Sequence, residues 1–268
     1  MALALAALLP HSPLLIPEIG RTNYDFLQKT IEAYEQIGQA LQTEEIETII
    51  IISPHATAAK DYFAINIAPE MSIDFKDFGF IPPRTVLNGD TVLADKIQTT
   101  LRPNFSLQLT SESLLDSGSA IPLYLLHAYL PDAKIIVISP AAELTLDDQL
   151  NFGVQLREVI KASPKKIALI ASGDLSHRLQ KKSPDGYSPK GAKFDNRLIE
   201  YLTAPKATTT NILKLDPKFI SAAGECGLKP LVILLGALTE FSWQAEVLAY
   251  QTDFGVGYLS VNFQLHEE

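Results

Sequence analysis

The sequence predicts an α/β fold, a single domain with a central, largely parallel or mixed sheet flanked by helices on both faces. Apolar runs rich in β-branched residues alternate with stretches of helical periodicity along most of the 268 residues. Hydrophobic residues make up 47% of the chain, an ordinary share for a globular protein. No repeat, low-complexity tract or interdomain linker interrupts the alternation, so we expect one domain over residues 1–268.

The first half of the chain begins with a buried strand and a long helix. Ala2–Leu9 is a continuous apolar run that Pro10 ends, which is typical of a strand buried on both faces. Between Thr22 and Gln42, apolar side chains recur at helical spacing, and Thr22 or Asn23 is a candidate N-cap. Further strands are expected at Glu47–Ser53, Tyr62–Ala68, Ile73–Phe78 and Ser106–Thr110, the middle two as a hairpin, and a helix at Asp90–Leu101.

The second half continues the alternation of helix and strand. Helices are expected at Ala120–Tyr129, Leu146–Lys161, Phe194–Leu202 and Leu228–Thr239. Strands are expected at Lys134–Ser139, Lys166–Ser172, Ala245–Gln251 and Val256–Phe263. The stretch Arg178–Lys190 is polar and contains proline and glycine, so we expect a loop that is short enough to be functional.

Charge and composition narrow the range of partners. The formal net charge is −9, from 31 acidic and 22 basic residues, which disfavours binding to nucleic acid or anionic membranes. The lone cysteine, Cys226, cannot form an intramolecular disulfide, which fits a reducing cytosol. The apolar run Met1–Pro10 lacks basic residues and is too short to span a bilayer. We therefore expect a cytoplasmic protein that binds neither nucleic acid nor membranes.

Three of the five histidines lie just past the carboxyl end of a predicted buried strand: His11, His55 and His177. In open α/β sheets, ligands bind at that edge. Pro10 and Pro54 fix where two of these strands end, because proline cannot continue a central strand. A single loop histidine usually bonds only to nearby backbone, but three at equivalent strand ends favour a common site.

A metal ion would explain this clustering of histidines. Imidazole suits iron, zinc, copper and nickel, and two histidines with one carboxylate form the facial set of non-haem Fe(II) oxygenases. Glu225 is the candidate carboxylate, because Gly224 and Gly227 permit a tight turn beside it. The alternative is that Glu225 only provides a favourable charge at the start of the following helix.

Two further side chains belong to the candidate site. The thiolate of Cys226 could bind zinc or another soft metal, although most free cysteines are simply small buried residues. Asp174 could cap the segment that follows it or orient His177, and His177 could move a proton near neutral pH. Dinucleotide, P-loop and Cys-x-x-Cys motifs are absent, and a serine hydrolase based on Ser117 has no supporting spacing.

Several short segments, taken in their order, form a more specific pattern. They are Pro10-His-Ser-Pro13, Ser53-Pro-His55, Ser172-Gly-Asp-Leu-Ser-His177, Ser183-Pro-Asp-Gly-Tyr187, Gly191-Ala-Lys-Phe-Asp195 and Glu225-Cys-Gly-Leu-Lys-Pro-Leu231. Together they resemble the class III extradiol ring-cleaving dioxygenases of the LigB type and their relatives, the Memo proteins. The resemblance covers nearly the whole chain.

The resemblance implies roles for the candidate residues. His11 and His55 would bind Fe(II), with zinc or copper as alternatives, and Glu225 would complete the set. His177 would be the acid–base residue beside the substrate. The substrates would be O₂ and a small catecholic molecule whose ring opens next to its two hydroxyls. Side chains that would contact substrate or support the site are Ser117, Asp174, Cys226 and Tyr187.

One departure from the family pattern keeps other functions open. Many ring-cleaving members carry Asp-His-Gly where this chain has Asp116-Ser-Gly118, and Ser117 can hydrogen-bond but cannot replace a histidine as an acid–base group. The Glu225-Cys226-Gly227 segment also looks Memo-like, which would mean metal-linked redox chemistry or binding of a peptide or protein in the same pocket. A zinc-dependent enzyme is a third possibility, and a homo-dimer or a second subunit is compatible with the family.

Overall fold

The computed structural model describes residues 2–56, 60–83, 85–204 and 208–266, and ten strands run through them. The strands are β1 (Leu3–Leu9), β2 (Thr48–Ile52), β3 (Phe63–Asn66), β4 (Glu70–Ser72), β5 (Val86–Asn88), β6 (Leu107–Thr110), β7 (Lys134–Ser139), β8 (Ile167–Ser172), β9 (Ser242–Gln251) and β10 (Tyr258–His266). The helices are α1 (Pro17–Gly20), α2 (Gln28–Thr43), α3 (Thr91–Leu101), α4 (Ser117–His127), α5 (Leu146–Lys161), α6 (Gly191–Thr203), α7 (Thr208–Leu213), α8 (Pro217–Ala223) and α9 (Leu228–Ala237).

Eight of these strands form one mixed sheet in the order β6-β3-β7-β2-β8-β1-β10-β9. The four central strands β7, β2, β8 and β1 are mutually parallel. On one side β3 joins β7 in antiparallel orientation, and on the other side β10 joins β1 in antiparallel orientation. The predicted α/β fold with a mixed sheet is therefore confirmed, and the carboxyl ends of the four central strands meet at one edge.

The central strands are buried because helices cover both faces of the sheet. Every residue of β2 and β8 is buried, which explains their uninterrupted apolar sequences. One apolar layer contains residues of α3, α5 and α9, and the other contains residues of α2 and α4. Within the first layer Phe63 stacks on Phe152, with ring centroids 4.0 Å apart. The two layers hold the central strand ends in fixed positions.

Two predicted elements differ from the structure. The helix expected from Thr22 begins only at Gln28, after a 3₁₀ segment, and its N-cap has no capping side chain. The strand expected at Ile73–Phe78 is wrong, because Lys76–Phe78 forms a 3₁₀ turn. The side chain of Asp74 accepts the backbone N–H of Lys76 at 2.8 Å, and this local bond favours a turn over a strand.

Most other elements were predicted within a few residues. The structure has β7 and α5 at the predicted bounds, and Arg178–Lys190 contains neither helix nor strand. The short elements α1, α7, α8, β4 and β5 were not predicted, and β4 pairs with β5 outside the main sheet. The extension of the domain over all of residues 1–268 stays a prediction. No helix in the described part of the chain combines the length and apolar character needed to cross a membrane.

Candidate metal centre

Side chains from three distant segments meet at the carboxyl edge of the central strands. His11, His55 and Cys226 each offer one ligand atom, and these atoms all lie within 4.8 Å of one another. The Sγ atom of Cys226 is 3.7 Å from Nε2 of His11, and the two imidazole centroids are 5.0 Å apart with planes at 80°. Two imidazoles and a thiolate at such spacing form a set that can close around one transition-metal ion.

The strand order places the two histidines together. β8 lies between β1 and β2, and His11 and His55 follow those two flanking strands. Leu9 pairs with Ser172 and Ile52 pairs with Ala171, so both flanking strands end level with the end of β8. His11 is buried, whereas His55 retains access to solvent.

Cys226 reaches this edge because two glycines allow the backbone to approach closely. A Cβ atom on Gly173 would lie 2.1 Å from the Cα of Gly227. The backbone after β8 and the backbone between α8 and α9 are therefore too close for a side chain at Gly173. The backbone N–H groups of Cys226 and Gly227 donate to the Asp174 carbonyl at 3.2 and 3.0 Å. In return, the N–H of Asp174 donates to Sγ of Cys226 at 3.3 Å. This exchange fixes the thiol beside the end of β8.

The hydrogen bonds around His11 determine which ring nitrogen is free. Ser172 donates its hydroxyl proton to the Gly118 carbonyl at 2.5 Å, because a carbonyl can only accept. The Ser172 oxygen, 2.9 Å from Nδ1 of His11, must then accept a proton from that nitrogen. In the neutral ring, Nε2 of His11 is then the nitrogen without a proton, and it lies towards Cys226, as a metal ligand requires.

His55 is held by the chain preceding α4. Its backbone N–H donates to Ser53 Oγ at 3.3 Å, and Ser53 donates to Oδ1 of Asp116 at 2.7 Å. A Cβ atom on Gly118 would lie 2.5 Å from Ser53 Oγ and 3.3 Å from Cδ2 of His55. Desolvation, followed by the proximity of His11, lowers the pKa of His55 and favours the neutral ring that binds metal.

His177 and Asp174 lie beside the three candidate ligands. Nδ1 of His177 donates to the Gly224 carbonyl at 2.9 Å, so in the neutral ring Nε2 is the nitrogen without a proton. Gly224 ends α8 with φ +63°, a left-handed conformation that favours glycine. Oδ2 of Asp174 lies 3.7 Å from Nε2 of His177 and 3.9 Å from Nε2 of His11. The buried Asp174 carboxylate thus lies near both histidines, beyond hydrogen-bond distance of either ring.

Glu225 does not occupy the position that the sequence suggested. Its Oε2 accepts the N–H of Leu228 at 2.6 Å, and its side chain lines a separate cavity beside α8 and α9. Burial raises the pKa of Glu225 to about 7, against the opposing effects of the Leu228 N–H and Lys229. The structure therefore brings Cys226, and not Glu225, to His11 and His55.

The remaining predicted residues are spread around the centre. Ser117 is the first residue of α4, next to Gly118, and lines a cavity with Asp116. Tyr187 lies in the Arg178–Lys190 loop with 60% of its surface exposed. Burial, then the neighbouring Asp174 carboxylate, raises the pKa of the Cys226 thiol well above its ordinary value. The thiol therefore stays protonated until a cation displaces its proton.

Sequence reasoning missed the residues that orient the ligands. Ser172 and Ser53 end or follow buried strands, and both hydroxyls bond to groups around the histidines. The repeated serine at the ends of β2, β7 and β8 was the available signal. Asp195, within one of the recognised segments, accepts the N–H of Ser176 at 3.0 Å and supports the Ser172–His177 segment from behind.

Comparison with known proteins places this geometry in context. The family model described as the catalytic LigB subunit of aromatic ring-opening dioxygenase matches residues 5–260. The Clostridium acetobutylicum protein CA_C1420 is 34% identical over 261 residues, which is 94% of this chain and 55% of that protein. The chain thus spans about half the length of that relative.

Two more distant proteins from Escherichia coli also match. The enzyme named 3,4-dihydroxyphenylacetate 2,3-dioxygenase is 21% identical over 253 residues, which is 88% of this chain and 90% of the enzyme. The crystal structure of the E. coli K12 protein JW3007, described as uncharacterized, superposes with a TM-score of 0.71 at 18% identity. The superposition covers 97% of this chain and 99% of JW3007, and the two proteins share a fold.

Proposed function

The chain belongs to the family of the catalytic LigB subunit of aromatic ring-opening dioxygenases, and we propose that it is a mononuclear non-haem Fe(II) enzyme of the extradiol type. In the proposed reaction, a carbon–carbon bond next to the two hydroxyls of a catechol breaks. Both atoms of O₂ enter the ring-opened product. The grouping of His11, His55 and Cys226 beside Asp174 and His177 is the observation that supports this proposal.

The donor set can hold the proposed ion, with the Cys226 thiolate in place of the carboxylate of the usual facial set. Two neutral imidazoles and one sulfur occupy three positions, which leaves others for substrate, as in open catalytic sites. When bound, Fe(II) supplies a Lewis acid and a redox partner that brings catecholate and O₂ together. Zinc and copper fit the same donors, so metal analysis belongs in the first experiment.

The neighbouring side chains have proposed roles of their own. In its neutral form His177 would accept a proton from a catechol hydroxyl at Nε2, because Nδ1–H is bonded to the Gly224 carbonyl. Asp174 would hold His177 and stabilise its protonated form, because its carboxylate lies 3.7 Å away. Ser117 and Tyr187 would contact substrate, and Cys226 takes over the ligand position that the sequence suggested for Glu225.

A Memo-like function is the second candidate, and the position of Cys226 favours it. A thiolate ligand suits copper and other soft metals better than a carboxylate does. In this alternative the same pocket carries out metal-linked redox chemistry or binds a peptide or protein, without opening aromatic rings. Cytoplasmic localisation, a homo-dimer or second subunit, and the lack of nucleic-acid and membrane binding also stay predictions.

The test begins with metal content in protein purified anaerobically without chelator. We expect near-stoichiometric iron in wild type and in Glu225→Gln, and loss of iron in His11→Ala and Cys226→Ala. Oxygen uptake is then measured with a panel of catechols, including 3,4-dihydroxyphenylacetate, after anaerobic loading with Fe(II). Uptake that His177→Ala abolishes supports the proposal.

Other outcomes separate the alternatives. Confirmed iron without oxygen uptake on any catechol contradicts ring cleavage. Tight copper that depends on Cys226 favours the Memo-like function, and tight zinc favours a zinc-dependent enzyme. Iron that is lost in Glu225→Gln but kept in Cys226→Ala returns the third ligand to Glu225.

A further inference from the structure

We propose that the chain carries a second small-molecule site, a cavity of about 660 Å³ between the loop after β7 and helices α8 and α9. Its occupant is inferred to be a neutral, mainly apolar molecule with one hydrogen-bonding group. The cavity volume lies within the roughly 300–1,000 Å³ that is typical of small-molecule sites. The proposal is independent of the reaction at the metal centre.

Half of the residues that line this cavity are aliphatic. They include Leu144, Leu146, Leu215, Ile220 and Leu228. Leu228 and Leu215 belong to the buried core, whereas Ile220 on α8 lines the cavity and is only partly buried. Such walls exclude water from an apolar ligand without requiring a change in the core.

Two polar side chains provide the hydrogen-bonding end of the cavity. Lys229 donates one ammonium proton to the Ala142 carbonyl and has two more to offer. Glu225 accepts the N–H of Leu228 through Oε2 and retains its other carboxylate oxygen. A ligand group that accepts from Lys229 or donates to Glu225, such as a carbonyl, an amide or a hydroxyl, therefore finds a partner.

The charges of the lining select a neutral ligand. Six charged side chains contribute: Glu143, Asp147, Asp216 and Glu225 are acidic, and Lys214 and Lys229 are basic. Because acidic groups outnumber basic ones, an anion is repelled. A cation that paired with Glu225 would in turn lie beside Lys229. Asp216 already accepts the N–H of Lys218 at 2.9 Å, and Glu143 pairs with Lys60 at 3.8 Å.

This cavity and the metal centre are distinct although they are adjacent. Glu225 and Cys226 are consecutive, but the Glu225 side chain lines the cavity and the Cys226 thiol lies with His11. The cavity lining contains none of the three candidate metal ligands. Filling the cavity is therefore expected to leave metal content unchanged.

The experiment titrates the full chain with a neutral fluorescent naphthalene ketone, 6-propionyl-2-dimethylaminonaphthalene, and with the anionic anilinonaphthalene sulfonate for comparison. Ile220→Trp places a larger side chain in the cavity lining, Lys229→Met removes the donor, and Lys29→Met on the exposed face of α2 is the matched control. We expect one equivalent of the ketone to bind with blue-shifted emission. Its affinity should fall about tenfold or more in Ile220→Trp and about fivefold in Lys229→Met.

The control and the anionic probe decide the remaining points. Lys29→Met should bind the ketone like wild type, and the sulfonate should bind wild type at least about tenfold more weakly. Unchanged ketone affinity in both cavity variants, with native circular dichroism, would falsify the site. Tighter binding of the sulfonate overturns the ligand class. Loss of metal from folded Ile220→Trp overturns the separation of the two sites. If Ile220→Trp does not fold, Lys229→Met against Lys29→Met decides.

Discussion

Ser172 shows how one hydroxyl can orient a candidate metal ligand. Its proton goes to the Gly118 carbonyl, so its oxygen holds Nδ1–H of His11 and leaves Nε2 free. The Gly224 carbonyl has the same effect on His177. Such outer contacts fix ring orientation and raise ligand basicity, and they typically change metal affinity by about 10- to 100-fold.

Ser172→Ala should therefore weaken metal binding by about 10- to 100-fold while the fold is kept. The substitution removes the acceptor for Nδ1–H and lets the His11 ring rotate. Affinity is measured by competition with a metal chelator, and circular dichroism checks the fold. Ser260→Ala is the matched control, because Ser260 Oγ is buried on β10 without a hydrogen-bond partner in the described residues. Equal affinities in the two variants would show that Ser172 does not orient His11.

The histidines could be predicted from sequence, but the third ligand could not. His11 and His55 follow apolar runs ended by proline, so the sequence predicts that both lie at the carboxyl edge of the sheet. Whether Glu225 or Cys226 faces them depends on backbone torsions between Gly224 and Gly227. Consecutive side chains before a helix point in different directions, and the Glu225 carboxylate accepts a hydrogen bond from the Leu228 N–H.

At the scale of elements, the start of α4 packs against His55 at one side of the candidate site. Asp116 is the N-cap of α4, and its carboxylate accepts from the Ser119 N–H and from the hydroxyls of Ser53 and Ser119. This arrangement brings Gly118 against the end of β2. The helix was predicted three residues too late, because its first turn, Ser-Gly-Ser, has little apolar character.

Gly118→Ala should disturb this contact and lower metal affinity by about tenfold or more. The added methyl would lie 2.5 Å from Ser53 Oγ and 3.3 Å from the His55 ring, so one of them must move. Chelator competition measures the effect. Ser117→Ala, on the adjacent residue, should leave metal affinity unchanged and alter only KM for an active catechol. A folded Gly118→Ala variant with wild-type affinity argues against this role of α4.

Helix α6 contributes a buried carboxylate that gives a pH-dependent stability. Asp195 accepts the Ser176 N–H at 3.0 Å and the Tyr250 hydroxyl at 2.9 Å. Burial raises its pKa from 3.8 to about 6, against the lowering effect of these hydrogen bonds. At pH values between 3.8 and about 6, the folded chain binds more protons than the unfolded chain. The free energy of unfolding therefore falls as pH rises through this range. The contribution is fully present below about pH 4 and lost above about pH 6.

Asp195→Asn should remove this pH dependence. Between pH 4 and pH 7, the free energy of unfolding of wild type should fall by about 3 kcal/mol more than that of the variant. This difference follows from the rise of the Asp195 pKa from 3.8 to about 6. Urea unfolding at a series of pH values measures the difference. Asp25→Asn, at an exposed position before α2, is the control and should follow wild type. Parallel curves for wild type and Asp195→Asn would mean that Asp195 keeps an ordinary pKa.

Local signals explain which elements were predictable. Helix α5 has a capping box, in which Thr145 Oγ1 accepts the Asp148 N–H and Asp148 accepts the Thr145 N–H. The start of this helix can therefore be predicted from the sequence alone. Strands β4 and β5 have three residues each and form a separate two-stranded sheet, so no periodicity marks them.

At the scale of the whole molecule, the strand order creates the site. Alternating helices and strands predict a sheet, but nothing in the sequence says that β1 and β2 both neighbour β8. That order brings together residues 44 positions apart, His11 and His55, and adds Cys226 from the start of α9. Such long-range placement follows from packing of both sheet faces, which no local pattern encodes.

Because the three candidate ligands come from distant segments, metal binding should stabilise the fold as a whole. An ion that binds only the folded chain adds about 2.7 kcal/mol to the free energy of unfolding at a hundredfold excess over its Kd. Urea unfolding of chelated and Fe(II)-loaded protein under anaerobic conditions measures this gain. Cys226→Ala should lose most of it, and His127→Ala, at the far end of α4, should keep it. Removing a metal ligand must lower the affinity of the folded chain for the ion. An equal gain in Cys226→Ala would therefore mean that the stabilising ion binds at another site.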